Sequence, residues 1–179
     1  MLKIAIVGNI ASGKTTVEKI LETMGYKVFD TDKIAHDILA TNEDIKKEFG
    51  TNDRKEIAQI VFSNPERLKK LESIIHPLVK LELEKIFAKN EDLVFVSVPQ
   101  LFEAGFDTIF DKIIYITADE KIRLDRLIKR NNFTADEALI RIKAQNETSK
   151  AERSDFVIEN NSDIISLNQK ITQIIKALN

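Results

Sequence analysis

Gly8, Asn9, Ile10, Ala11, Ser12, Gly13, Lys14 and Thr15 stand between an apolar run over residues 2–7 and a helix-forming run that continues with Thr16, Val17, Glu18, Lys19, Ile20 and Leu21. Glycine, four residues, then Gly-Lys-Thr in a strand-to-helix context is the phosphate-loop pattern. The glycines permit backbone angles that turn successive N–H groups toward one point, and the following helix aims the positive end of its dipole there. A polyphosphate is the ligand this arrangement suits. Lys14 is placed to reach the β- and γ-phosphates of a nucleotide, and Thr15 to offer its hydroxyl to Mg²⁺. Ala11, Ser12, Gly13, Lys14, Thr15 and Thr16 are therefore the candidate nucleotide-binding residues.

A strand that feeds such a loop belongs to a layered α/β fold. Four further apolar or β-branched runs, over 27–30, 93–98, 112–117 and 156–159, alternate with helical patterns and predict a five-stranded parallel sheet buried on both faces. Capping boxes at Thr117 with Glu120, Thr134 with Glu137 and Ser63 with Glu66 predict helices over 118–130, 135–146 and 64–75. In the last of these Pro65 occupies the first turn, where its missing N–H costs nothing. The long segment over 32–92 predicts a separate helical lobe. Residues 118–146 predict a helical hairpin, linked at Asn131, Asn132 and Phe133, that serves as a lid. The remaining core comprises residues 1–31, 93–117 and 147–179.

Composition narrows the setting. The chain of 179 residues has no cysteine and only two histidines, which excludes disulfides and thiolate metal sites and disfavours a histidine zinc site. The apolar run at the N-terminus is too short for a signal peptide and no stretch is long enough to span a membrane, so the expectation is a cytoplasmic protein without a membrane partner. A formal charge of −2 argues against a nucleic-acid partner. Over residues 121–143, however, Lys121, Arg123, Arg126, Lys129, Arg130, Arg141 and Lys143 outnumber Asp125, Asp136 and Glu137, a local charge of +4. Lys121, Arg123 and Lys143 read as solvated surface. Arg126, Arg130 and Arg141 read as lid guanidiniums that cover a transferring phosphoryl, with Leu124, Leu127 and Ile128 as the packing face.

The acceptor side is drawn by fewer residues. Asp30 and Asp32, two apart after the second strand, point to one side of an extended segment, at the sheet edge where ligands bind in open α/β folds. Asp30 reads equally as a helix cap. Asp32 reads as the carboxylate that accepts an alcohol's proton or holds Mg²⁺. His76 precedes Pro77, which predicts a helix ending at Ile75 and another starting at Pro77; His76 is then either a hinge cap or a substrate contact. Beyond Pro99, Glu103 is either an exposed helix-start acid or a substrate contact.

Taken in order, these residues resemble the dephospho-CoA kinase family over nearly the whole chain. The loop run, Asp30-Thr31-Asp32, the stretch from Arg54 to Pro65, Ile74-Ile75-His76-Pro77-Leu78-Val79, Val98-Pro99-Gln100-Leu101-Phe102-Glu103, Arg141-Ile142-Lys143-Ala144-Gln145 and the closing Asp155 to Asn161 each match a family motif. The resemblance implies a P-loop kinase fold with residues 32–92 as the CoA-binding lobe, and ATP with Mg²⁺ as donor. It implies transfer to the ribose 3′-hydroxyl of dephospho-CoA, small-molecule partners and a monomer. Asp32 becomes the catalytic base and Asn160 or Asn161 a neighbour of adenine. Another small-molecule kinase, of the shikimate, gluconate or nucleoside monophosphate type, is the alternative. Asn9 and Ala11 replace family glycines, which preserves the cradle only if both adopt ordinary negative φ, and Gln100 replaces a leucine.

Overall fold

The computed structural model describes residues 1–90, 93–131, 133–145 and 148–178. Its centre is β1 (Leu2–Gly8), in which Ile4, Ala5, Ile6 and Val7 are all fully buried. A strand with no exposed face needs a neighbour on each side and a layer above and below. β3 (Leu93–Ser97) pairs with β1 on one side and β4 (Lys112–Thr117) on the other, both parallel, with Ile4 opposite Phe95 and Lys112 respectively. β2 (Val28–Asp30) and β5 (Phe156–Glu159) complete a five-stranded parallel sheet of order β2-β3-β1-β4-β5. The chain leaves β1 toward the β2 edge and β4 toward the β5 edge. Their adjacent C-terminal ends therefore form the switch point at which open parallel sheets bind ligands.

The helices α1 (Lys14–Thr23) and α9 (Ile164–Leu178) supply the principal apolar layer. Val17, Ile20 and Leu21 from α1 and Leu167, Ile171 and Ile175 from α9 join Ile4, Ile6, Phe95, Ile114, Ile116 and Ile158 in one cluster. Burying each such side chain is worth ~1.5–3 kcal/mol. α6 (Glu120–Asn131), α7 (Ala135–Lys143) and the short α8 (Thr148–Glu152) lie between β4 and β5.

The chain divides into two compact units, Met1–Phe29 with Asp92–Asn179, and Asp30–Glu91. The second consists of α2 (Thr31–Thr41), α3 (Glu43–Phe49), α4 (Arg54–Phe62) and α5 (Pro65–Ala88). Its core is Ile45, Phe49, Ile57 and Leu71, with Ile38, Leu39, Ile60, Val61, Ile74 and Ile75 packed around it. Arg67 closes one side, donating to the Glu48 carboxylate at 2.7 Å and carbonyl at 2.8 Å while stacking 4.4 Å from the Phe49 ring centre.

Several local expectations are corrected. No break occurs before Pro77, which lies inside the continuous helix α5. An internal proline costs about 3 kcal/mol through its lost N–H and ring clash. Leu71, Val79, Leu83 and Phe87 are buried at spacings of eight and four, one stripe that keeps both halves on a common axis. The box at Thr117 does not form, because Thr117 ends β4 and its carbonyl accepts the Asn160 N–H at 2.8 Å. Asn64, not Ser63, caps α5, accepting from the Arg67 N–H at 3.1 Å. The box of Thr134 and Glu137 is present with both of its bonds. Asp30 and Asp32 do not share an extended segment, since α2 begins at Thr31 and the Asp30 carboxylate caps it through the Asp32 N–H at 2.8 Å. Of the hairpin link, Asn131 belongs to α6, Asn132 lies outside the described residues, and Phe133 packs with the helices. Ala144 and Gln145 do not extend α7, and Asn146 is likewise outside the described residues.

Candidate functional site

The turn between β1 and α1 is closed by the Ser12 N–H, which donates to the Asn9 carbonyl at 3.1 Å. Gly13 stands at the head of α1 with φ +97° and gives no side-chain cap. Thr16 and Val17 donate to the Gly13 carbonyl, while the earlier amides of a helix, here Lys14 and Thr15, have no intrahelical acceptor. That pair of uncapped amides at the switch point fits an anion. Asn9 does not have positive φ, but Ala11 adopts φ +60°, so the condition of ordinary negative φ at both substituted positions is not met. A left-handed alanine is strained by ~1–2 kcal/mol, a cost the family's usual glycine avoids.

Lys14 Nζ donates to Ser97 Oγ, and to Glu18 Oε1 at 2.8 Å. Ser97, fully buried at the end of β3, was not among the residues selected from sequence. Its one signal there was a hydroxyl inside an apolar strand. Thr15 is exposed and Thr16 half-buried.

The α6–α7 hairpin seats directly on this turn. Leu127, Ala138 and Ile142 form a cluster into which Ile10 and Ala11 of the turn pack, along with Leu124, Ile128 and Phe133. Arg126 donates from Nη1 to the Ala11 and Ser12 carbonyls, both at 3.2 Å, and from Nη2 to the Asn160 carbonyl at 3.0 Å. Burial lowers its pKa, yet guanidinium stays charged. Asn160 is buried, with its Nδ2 donating to the Ser12 carbonyl at 2.8 Å. Asn161 instead exchanges hydrogen bonds with Asp119, both at 2.8 Å. Gln145, also not selected from sequence as a site residue, accepts the Ile10 N–H on Oε1 at 2.7 Å.

The other basic residues of the hairpin differ from one another. Arg141 is exposed, with its guanidinium 4.6 Å from the Phe133 ring centre. Hydrogen bonds from the Thr134 N–H and hydroxyl, aided by Arg141, hold the Glu137 carboxyl below its ordinary pKa. Arg130 is exposed and donates to Asn131 Oδ1 at 2.8 Å. Lys121 and Lys143 are exposed as expected. Arg123 is not: it is buried, one turn before Leu127 on the inward face of α6. Its guanidinium nitrogens Nε and Nη1 are buried together with the stem, which a count of charges does not register.

Glu103 is half-exposed and its carboxylate meets Lys150 Nζ at 3.0 Å, a lysine that is itself buried. Arg153 binds the same segment, pairing with Asp107 at 2.7 Å and lying 4.2 Å from the Phe102 ring centre. Gln100 is exposed. Asp32 and His76 belong to the helical unit, Asp32 in the first turn of α2 and His76 half-buried within α5. Among the described residues no three histidine, aspartate or glutamate side chains are grouped to hold a metal ion, and no helix is long and apolar enough to cross a membrane.

Comparison with known proteins places this geometry. Residues 2–166 match the family described as dephospho-CoA kinase. A dephospho-CoA kinase of Fusobacterium nucleatum is 38% identical, over 98% of this chain and 97% of its own. The solved dephospho-CoA kinase of Campylobacter jejuni is 30% identical with a TM-score of 0.74, covering 98% of this chain and 96% of its own. A shikimate kinase from Bacteroides thetaiotaomicron superimposes with a TM-score of 0.61 at 14% identity, over 99% of this chain and 98% of its own, a likeness of fold alone.

Proposed function

The chain belongs to the dephospho-CoA kinase family, and from that premise we propose that it transfers the γ-phosphoryl of ATP to the ribose 3′-hydroxyl of dephospho-CoA, releasing CoA and ADP. The observation that carries this reading is the uncapped head of α1 beside Lys14, at the switch point of a parallel sheet. A family match spanning both units of the chain supports it over a shikimate- or gluconate-type kinase.

The residues divide the work. Amides of the turn from Ala11 to Thr16 hold the phosphate oxygens, and Lys14 neutralises the β- and γ-phosphates. Ser12 and Gly13 keep the backbone close, with Asn160 and Arg126 holding the turn from behind and bordering the nucleotide. Arg141 and Arg130 bring guanidinium charge from the lid, residues 118–146, to the migrating phosphoryl. Residues 32–92 bind dephospho-CoA. There the Asp32 carboxylate takes the 3′-hydroxyl proton as the oxygen forms its bond to γ-phosphorus and ADP departs. His76 and Glu103 contact the acceptor, Glu103 through the carboxylate that Lys150 orients. Thr15 and Asp32 offer the oxygen donors that Mg²⁺ prefers, and the ion would supply charge neutralisation at the phosphates. The enzyme acts as a cytoplasmic monomer on small molecules; its formal charge of −2 supports the absence of a nucleic-acid partner.

ADP release measured against a panel of acceptors tests the reading. Turnover that depends on dephospho-CoA is expected. Turnover with shikimate, gluconate or a nucleoside monophosphate, and none with dephospho-CoA, would overturn it.

A further inference from the structure

The peptide unit joining Asn9 to Ile10 is held at both ends. Its carbonyl accepts the Ser12 N–H at 3.1 Å, and its N–H donates to Gln145 Oε1 at 2.7 Å across 135 residues of chain. The first bond closes the turn on itself. The second ties it to another element, because the Gln145 N–H donates in turn to the Ile142 carbonyl at 3.2 Å, which locks Gln145 to the last turn of α7. The same turn of α7 inserts Ile142 into the cluster that contains Ile10 and Ala11. Gln145 is thus a short strut between the end of α7 and the phosphate-binding turn.

Two consequences follow for chemistry. An amide bonded to a glutamine oxygen is not turned toward an anion, so the Ile10 N–H leaves the cradle to the amides that come after it. The orientation of that peptide also sets the direction in which Ala11, at φ +60°, and Gly13, at φ +97°, continue the turn. In addition, Gln145 follows the C-cap of α7, just past the turn that carries Arg141, so a strut that fixes Gln145 on the loop fixes the end of the helix that presents Arg141.

We propose that Gln145 is a positioning residue for phosphoryl transfer: it acts through the Ile10 amide and α7 to align the phosphate-binding turn with Arg141, without touching either substrate. This rests on the phosphoryl-transfer reading, which the acceptor-dependent turnover of the unaltered enzyme establishes or refutes separately.

The test uses the full chain. Gln145→Met keeps the length and bulk of the side chain and removes the acceptor, and Gln145→Glu keeps an acceptor oxygen at the same reach. For Gln145→Met the expected result is a fall in kcat at saturating ATP of about tenfold or more, with KM for dephospho-CoA unchanged and hydrogen exchange at the Ile10 amide accelerated. Gln145→Glu should recover kcat to within about threefold of the unaltered enzyme, with its added charge appearing as a raised KM for ATP. Unaltered kcat in Gln145→Met would overturn the proposal. So would a loss of kcat that Gln145→Glu does not recover. The unaltered protein gives a reading free of any folding defect: the Ile10 amide should exchange slowly, and rapid exchange there contradicts the strut.

Discussion

The Asn160 carboxamide nitrogen donates to the Ser12 carbonyl at 2.8 Å and stands 2.1 Å from the point that a Cβ on Gly13 would occupy. Gly13 is thus required twice, by its φ of +97° and by the side chain pressed against it. Gly13→Ala should weaken ATP binding by at least about tenfold, equivalent to ~1.4 kcal/mol, as measured by calorimetry. Adding Asn160→Gly removes the clash but leaves the backbone strain and loses the bond to the Ser12 carbonyl, so the double variant should still bind ATP more weakly than the parent. Equal affinity in Gly13→Ala and the unaltered protein would show that the turn tolerates a side chain there.

Ala11 separates backbone strain from packing. Its φ of +60° disfavours any side chain, while its methyl packs among Leu127, Ala138 and Ile142. Ala11→Gly relieves strain of ~1–2 kcal/mol but adds chain entropy and loses apolar contact, so its stability should lie within ~0.5 kcal/mol of the parent. Ala11→Val places a β-branched residue in the left-handed region and should cost about 2 kcal/mol or more in urea unfolding. A valine variant as stable as the parent would contradict the left-handed geometry.

Asp32 heads α2, where Asp30 caps its N–H. If Asp32 takes the acceptor's proton, Asp32→Asn should lower turnover by roughly 10²- to 10⁴-fold with ATP affinity little changed. Steady-state kinetics with both substrates saturating reads this directly, and near-parental turnover would remove Asp32 from the base role.

A pH dependence of stability is built into the β4–β5 edge. Burial alone would raise the Asp155 pKa, but hydrogen bonds from Lys112 Nζ and the Ile113 N–H outweigh it and hold the carboxyl below its ordinary value. Those bonds measure 2.7 and 2.8 Å. A depressed pKa contributes stability that is fully present above the unfolded-state value and is lost as pH falls through the folded-state value. Asp155→Asn should therefore lower stability at neutral pH and narrow the difference from the parent in acid. A gap that stays constant down to strongly acidic pH would contradict this assignment.

The parts legible in the sequence were those fixed by local chemistry. The apolar run over residues 2–7, interrupted only by Lys3, marked a strand because a strand buried on both faces admits no regular polar alternation. The box of Thr134 and Glu137 fixed the start of α7 because both partners lie within one turn. Where tertiary burial overrides local preference, the local pattern misleads. Pro77 ought to break a helix, yet the buried stripe through Leu71, Val79 and Leu83 carries α5 past it. Arg123 looked solvated among its basic neighbours, yet it shares the inward face with Leu127. The bonds of Ser97 and Gln145 escape the sequence, although Gln145 ends a matched motif, because their partners, Lys14 and Ile10, lie 83 and 135 residues away, separations that no local pattern encodes.

The proposed activity rests on which bond is made. Incubating the full chain with ATP and dephospho-CoA and following the products by phosphorus NMR and mass spectrometry tests it most directly. One phosphoryl group gained per ADP formed, as a monoester on the ribose 3′-oxygen, is the predicted result. ATP hydrolysis to free phosphate with dephospho-CoA unaltered, or a phosphoryl group at any other oxygen, would contradict it.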